Sequence, residues 1–488
     1  MAVFTLLPLA HVGFYAYGVG LDVAREQLIR PRIGLLLVNT VALVTAGVGV
    51  SAVIATACAW VVERTDVPVP RLWRGLLIAP LAVPAFVNGY GWVSLTHAVE
   101  GFAGAVLIVS LSYFPFIYLP VTASLQRIDP ALEESARTLG LGRVASLVRV
   151  VLPQLRPALL GGGLLVALHL LAEFGALQML RFPTLTTAIY DQFGSTFNGP
   201  AANLTATVLV LLCLVVLVTE LRLRGRTTLA RVGGGTPRQV MRASSGGAPA
   251  IVLLVAVVLL SLGVPIASLV RWMAIGASTT FPLADLASTT ATTLGLAAAG
   301  AATATVLAIP VALLVVRHAS RASTLVERST FTASALPGIV IALALVSLSL
   351  RFTPSIYQTT IVLVAAYVIM FASRAVVGVR AALDHAPPVL EDVSGALGQT
   401  PWATFRRVTL PLVAPGVGAG AALVFIAIAT ELTATLLLAP TGTRTLATQF
   451  WSESSSLSYG AAAPYALLLV LLSIPATFLL GRIAVKTP

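Results

Sequence analysis

The sequence predicts an all-α integral membrane protein of about twelve transmembrane helices, built as two parallel six-helix repeats. Three observations predict it. The 488 residues are 58% hydrophobic and only 10% charged, whereas soluble domains carry roughly 25% charged residues, and the mean hydropathy is +0.96. Apolar runs such as LLGGGLLVALHLLAEFGALQML and AAAPYALLLVLLSIPATFLLG reach the roughly 20 residues that cross a bilayer as a helix. A charged segment from Pro130 to Pro157 returns 258 positions later, from Pro388 to Pro415.

Taken in order, spans begin near Val3, Ile33, Leu72, Phe102, Pro157 and Ala202 in the first half. In the second half they begin near Pro249, Thr289, Glu327, Tyr357, Pro415 and Ala461. The first run lacks a basic leader and a cleavage site, so it is read as a retained span rather than a signal peptide. It is short, which leaves the natural start open. Alternating strands with turn signals are absent, which argues against a barrel. With both termini in the cytoplasm, all but seven of the 30 Lys and Arg residues fall in inner loops or the C-terminal tail, as the positive-inside rule requires. The net charge of +12 is then a topology signal and a match to anionic lipid headgroups, not a nucleic-acid footprint. A Gly-, Ser- and Arg-rich stretch at 226–248 reads as a cytoplasmic linker between a first repeat, 1–225, and a second, 249–488. Cys58 and Cys213 lie in apolar runs and read as small core residues, not a disulfide framework.

The repeated segment explains why so apolar a chain carries a charged island. Its first copy contains EESARTLGLGRVASLVRVVLPQLRP, from Glu133 to Pro157. Identities with the second copy include Glu133 with Glu391, Gly140 with Gly398, Leu152 with Leu410 and Pro153 with Pro411. Gly140 is placed to end one short helix as a left-handed cap. Val144, Leu147, Val148 and Val151 then follow one apolar stripe of a second short helix, and Pro153 and Pro157 are expected to break the backbone before the next span. Six spans per half make the repeats parallel, so both copies face the same side. Two equivalent docking segments suit a partner that is itself a dimer. An ordinary interfacial helix is the alternative for either copy alone.

The spacing Glu134-Ser135-Ala136, then Gly140, then Val150-x-Leu152-Pro153 resembles the EAA loop of ABC importer permeases. The second copy departs from it, with Asp392, Val393 and Ser394 in place of the acid and two small residues, while Gly398 and Leu410-Pro411 are intact. LAEFGALQMLRFPTLTTAIYDQF and ATELTATLLLAPTGTRTLATQFW look most like fused ferric-iron permeases. The resemblance implies that Glu133, Glu134, Ala136, Gly140, Leu152 and Pro153, and likewise Glu391, Asp392, Gly398, Leu410 and Pro411, couple the chain to two copies of a cytoplasmic ATP-binding subunit. It also implies an extracytoplasmic substrate-binding protein, and alternating access as the cycle. Thiamine, polyamine and anion importers share the loops, so the cargo stays open.

The chain carries no phosphate-binding loop. Its single lysine, Lys486, lies in GRIAVKTP without the required glycine, so ATP and Mg²⁺ are expected on the partner subunits. The five histidines are scattered without metal spacing, so no stably bound metal or catalytic group is expected. Two acids lie well inside expected spans, Glu173 and Glu431, and they are 258 apart. Each follows its proline, Pro157 or Pro415, by about 24 Å of helix, towards the outer half of the membrane. Facing each other across a pathway, they could transiently hold a hard cation such as Fe³⁺. The alternative is a structural hydrogen bond to a neighbouring helix. His169, one turn before Glu173, has no counterpart at Ala427 and reads as a helix contact. Two other readings remain, an ion-coupled secondary transporter and a channel-like membrane protein without energy coupling.

Overall fold

A computed structural model of the chain describes residues 2–18, 30–128, 130–224, 247–276, 279, 281–318 and 320–486. The expected linker falls outside these residues up to 246. Among the described residues there are helices and no β-strand, the outcome that hydrocarbon demands of a chain unable to close a barrel. Seven helices are long and apolar enough to cross a membrane, and up to ten spans result if each of three bent pairs counts as one. Phe4–Tyr15 and Tyr459–Pro475 are shorter apolar helices.

The helices carry these labels: α1 Ala2–Gly18, α2 Pro31–Arg64, α3 Pro70–Ile78, α4 Ala85–Val93, α5 Phe102–Tyr113, α6 Pro115–Arg127, α7 Pro130–Thr138, α8 Arg143–Ser146, α9 Leu152–Ala172, α10 Gly175–Met179, α11 Leu185–Tyr190 and α12 Gly199–Arg224. The second half continues with α13 Gly247–Val258, α14 Val264–Ile275, α15 Leu283–Arg317, α16 Arg321–Ser334, α17 Gly338–Phe352, α18 Thr360–Asp384, α19 Pro388–Ala396, α20 Pro401–Thr404, α21 Leu410–Ala429, α22 Thr433–Leu438, α23 Leu446–Ser455 and α24 Tyr459–Lys486.

The helices form two compact units whose makeup differs from the two halves of the chain. One unit contains α2 to α10 with α13, α14 and α24. The other contains α15 to α23 with α1. Each unit therefore takes its first span from the opposite half. Within the first, α14 packs on α4 and α24; within the second, α1 packs on α16 and α17.

Repeat-related packing appears inside each unit. The second-span helix lies against the fifth-span helix, α2 on α9 and α15 on α21. Gly162 of α9 lets the backbone of α6 come close, since a Cβ there would sit 2.8 Å from the Ile117 Cα. Its counterpart Gly420 of α21 does the same for α18, where a Cβ would sit 3.0 Å from the Gly378 Cα. Small residues at such crossings are how spans pack when no hydrophobic force drives them together. Apolar side chains left exposed on the long helices, such as Val53 on α2 and Val306 on α15, suit lipid rather than water.

Prolines and helix breaks follow the sequence only in part. Pro84 and Pro337, with ψ of 142° at both, separate α3 from α4 and α16 from α17, and the paired segments bend by 88° and 101°. Pro153 and Pro157 do not break the chain as expected, and neither do Pro411 and Pro415. A π-helical turn, Leu147–Val151 in one half and Phe405–Thr409 in the other, joins the short loop helix to the span. A proline ring clashes with the carbonyl four residues back and leaves it without a donor; the widened turn moves that carbonyl aside. Loop helix and span thus run on without a break, over 143–172 in one half and 401–429 in the other.

Candidate functional site

The two repeated loops have the same backbone. Gly140 has φ +85° and Gly398 has φ +78°, the left-handed region that favours glycine. In each loop the amide just past the glycine reaches back to the third-last carbonyl of the helix: Leu141 N–H donates to Ala136 O at 3.1 Å, and Gln399 N–H to Ser394 O at 3.2 Å. This is a Schellman cap, and it turns the chain sharply between α7 and α8 and between α19 and α20. Ala136 and Ser394 face inward and are buried. Ser394 and Thr404 share a hydroxyl hydrogen bond of 2.9 Å that ties α19 to α20.

Leu139 and Leu397, the residues before the two glycines, are 84% and 76% exposed. A bare leucine at the same turn of both loops is a shared surface feature that the motif spacing did not single out. Trp402 and Val393 in the second loop and Val148 in the first are also exposed. Asp392 is exposed, while the side chain of Glu134 lies outside the described residues. Pro153 and Pro411 sit exposed in the first turn of α9 and α21, next to half-buried Leu152 and Leu410.

Glu133 and Glu391 turn inward instead. Glu133 pairs with Arg64 at 3.2 Å, and Glu391 pairs with Arg317 at 2.9 Å. The first pair is the drier, with side chains 4% and 11% exposed against 14% and 27% in the second. Removing one partner of a well-buried pair costs about 3–5 kcal/mol, because the other charge is stranded; the more exposed pair costs less. Thr409 adds a 3.1 Å hydrogen bond to Glu391. Sequence reading counted Arg64 and Arg317 only as topology anchors. Their equivalence was visible as a shift of 253 between the halves, not the 258 that aligns the loops.

The two membrane acids sit at breaks rather than deep in their helices. α9 ends at Ala172 and α21 at Ala429, so Glu173 and Glu431 lie in the connection to the short helices α10 and α22. The Glu173 carboxylate accepts the Ala176 N–H at 2.9 Å and a hydrogen bond from the Tyr113 hydroxyl. The Glu431 carboxylate accepts the Ala434 N–H at 3.1 Å, the Thr435 N–H at 3.2 Å and the Thr435 hydroxyl at 3.1 Å. Each acid thus supplies acceptors to the free amides that open a helix. On the carbonyl side of the first break, Thr186 donates to Leu171 O at 2.8 Å. His169 donates through Nδ1 to Leu165 O at 2.7 Å and lies tilted by 31° against Phe116, 4.4 Å between ring centres. No cluster of three or more His, Cys, Asp or Glu able to hold a metal occurs among the described residues.

The family model for the binding-protein-dependent transport system inner membrane component matches the chain twice, at residues 47–226 and 304–487. Among curated proteins, the chain is 37% identical to the Fe(3+)-transport system permease protein FbpB 2 of Haemophilus influenzae, over 98% of this chain and 96% of that one. It is 29% identical to the sulfate transport system permease protein CysW of Synechocystis, over 46% of this chain and 88% of the other. With the molybdenum transport system permease protein ModB of Escherichia coli it shares 31% identity over 24% of this chain and 58% of that one.

Two outcomes test the site. Gly140→Val and Gly398→Val leave room for the side chain but force a β-branched residue into a left-handed turn, at about 1–2 kcal/mol each. Membrane levels should hold while cargo uptake falls, with unequal losses because the loops differ; normal uptake in both variants at wild-type levels contradicts a docking role. Glu173→Ala and Glu431→Ala should each cost roughly 1 kcal/mol of thermal stability as helix caps, whereas Glu→Gln keeps an acceptor and loses the charge. A drop in uptake per folded molecule in the Gln variants indicates contact with the pathway; full uptake in the double Gln variant leaves the acids as caps alone.

Proposed function

Because the chain belongs to the family of binding-protein-dependent transport system inner membrane components, we propose that it is the transmembrane permease subunit of an ABC importer whose cargo is ferric iron. The observation that carries the cargo is the end-to-end similarity to a ferric permease; the sulfate and molybdenum relatives match only part of the chain. Counting each bent pair as one span, with the two shorter apolar helices, the reading has twelve spans, six per half. Both termini lie in the cytoplasm, where the basic residues concentrate.

Two ATP-binding subunits, which carry the ATP and Mg²⁺, dock one on each loop through the turns at Leu139-Gly140 and Leu397-Gly398. Exposed apolar side chains at both turns support this. ATP-driven closure of those subunits moves the loops, and alternating access follows. An extracytoplasmic binding protein presents the cargo on the other side. Glu173 and Glu431 lie beside the pathway in this proposal, since a broken span is tolerated where its backbone is packed in protein or lines a water-filled cavity. The permease contributes no hydrolytic chemistry of its own.

The test is uptake into proteoliposomes holding the chain and its ATP-binding subunits, with the loaded binding protein added. ATP-dependent entry of radiolabelled ferric iron, and not of sulfate, molybdate or thiamine, is the expected result. Entry of one of the other solutes overturns the cargo, and uptake that follows an ion gradient without ATP overturns the importer class.

A further inference from the structure

Arg64 is the last residue of α2, and Arg317 is the last residue of α15. The 253-residue shift that relates them also relates Thr40 to Thr293 and Pro84 to Pro337, so they are one position of the repeat. Each arginine contacts two groups. Arg64 donates to Leu125 O at 3.1 Å and meets Glu133 at 3.2 Å. Arg317 donates to Ala386 O at 3.0 Å and to Glu391 at 2.9 Å. The carbonyls come from the end of α6 and from the residues just past α18. A planar guanidinium holds several acceptors in fixed directions, which an ammonium does not. In both units, therefore, one arginine fastens the second-span helix, the end of the fourth span and the loop helix at a single point.

The far end of the same helix is fastened too. The Thr40 hydroxyl accepts the Leu185 N–H at 3.0 Å, and the Thr293 hydroxyl accepts the Leu446 N–H at 2.8 Å. Leu185 and Leu446 open α11 and α23, the second helices after the Glu173 and Glu431 breaks. From Thr40 to Arg64, or Thr293 to Arg317, the helix is uninterrupted and about 36 Å long at the standard rise.

We propose that Arg64–Glu133 and Arg317–Glu391 are matched transmission joints. They keep each loop helix rigidly attached to its second-span helix, so that displacement of the loop by an ATP-binding subunit is delivered through that rod to the segment beyond the break. The glutamates act through the arginines as positioning residues and do not touch the ATP-binding subunit. The joints are unequal. The first is buttressed by Glu63, which accepts two 2.7 Å hydrogen bonds from Arg74 and one of 3.3 Å from Gln126. The second has Val316 at the position of Glu63 and takes Thr409 as its extra ligand.

The inference rests on the importer reading, and its test is arranged to fail separately. The full complex, with its ATP-binding subunits and binding protein, is reconstituted with Arg64→Gln or with Arg317→Gln. Cargo imported per ATP hydrolysed is measured together with the mass of the assembled complex. Both variants should assemble and hydrolyse ATP, while cargo per ATP drops about tenfold, within the usual range of coupling between distant sites. A further variant replaces Arg317 and Glu391 by cysteines on a background without Cys58 and Cys213. Joining them with a short bifunctional thiol reagent should restore cargo per ATP, because the joint stays closed throughout the cycle. An unchanged ratio in the Gln variants, or loss of transport on cross-linking that reduction reverses, overturns the joints. Should Arg64→Gln fail to fold, the more exposed second pair and its cross-link decide alone. Absence of ATP-driven uptake by the wild-type complex counts against the importer reading, not against the joints.

Discussion

A backbone amide or carbonyl left unpaired in hydrocarbon costs several kcal/mol, and several of the described irregular points are arranged around that cost. Where α9 and α21 stop, a carboxylate from the connection meets the amides of the next helix. Where a proline follows a loop helix, a π-helical turn absorbs it and the helix continues. At Pro84 and Pro337 the chain bends sharply, and each following helix starts with an almost wholly buried sequence. The same solutions occur in both units, at positions related by the repeat, so they belong to the architecture and not to one local accident.

Charge is rationed in the same way. A buried carboxylate and guanidinium are tolerable when each satisfies the other and the remaining donors find carbonyls. The arginines that close α2 and α15 meet that condition in part: Nη2 of each takes one carboxylate and one carbonyl, while Nε of each is buried without a hydrogen-bond partner. The consequence is mechanical. A loop with its outer face bare and its inner face tied to a long helix suits the passing of movement from a soluble partner into a membrane helix. The bare leucines at positions 139 and 397 supply the outer face.

Much of this was legible in the sequence. Composition and long apolar runs identified the helical membrane class, and the recurrence of Pro130 to Pro157 identified the two loops. Gly140 and Gly398 were read correctly as left-handed turns because so few residues tolerate a positive φ. Glu173 and Glu431 were found as an equivalent pair but placed within spans, because the apolar run continues through FGALQML and hides the break. The prolines were read as breaks because sequence shows the missing amide but not the widened turn that accommodates it. The Arg–Glu pairs were missed for a simpler reason. Five residues of difference between the second-span and loop alignments put the partners at two different shifts. The assembly of each unit from both halves carries no local signal at all, since any apolar helix face can pack on another.

In the proposed function both loops of this one chain dock, each seating one ATP-binding subunit. The most direct measurement is the mass of the detergent-purified complex formed with an excess of those subunits. Two subunits per chain are expected, with both leucines, Leu139 and Leu397, protected from hydroxyl-radical labelling in the complex. A complex with one subunit or none, or with either leucine labelled as strongly as in the free chain, contradicts the account.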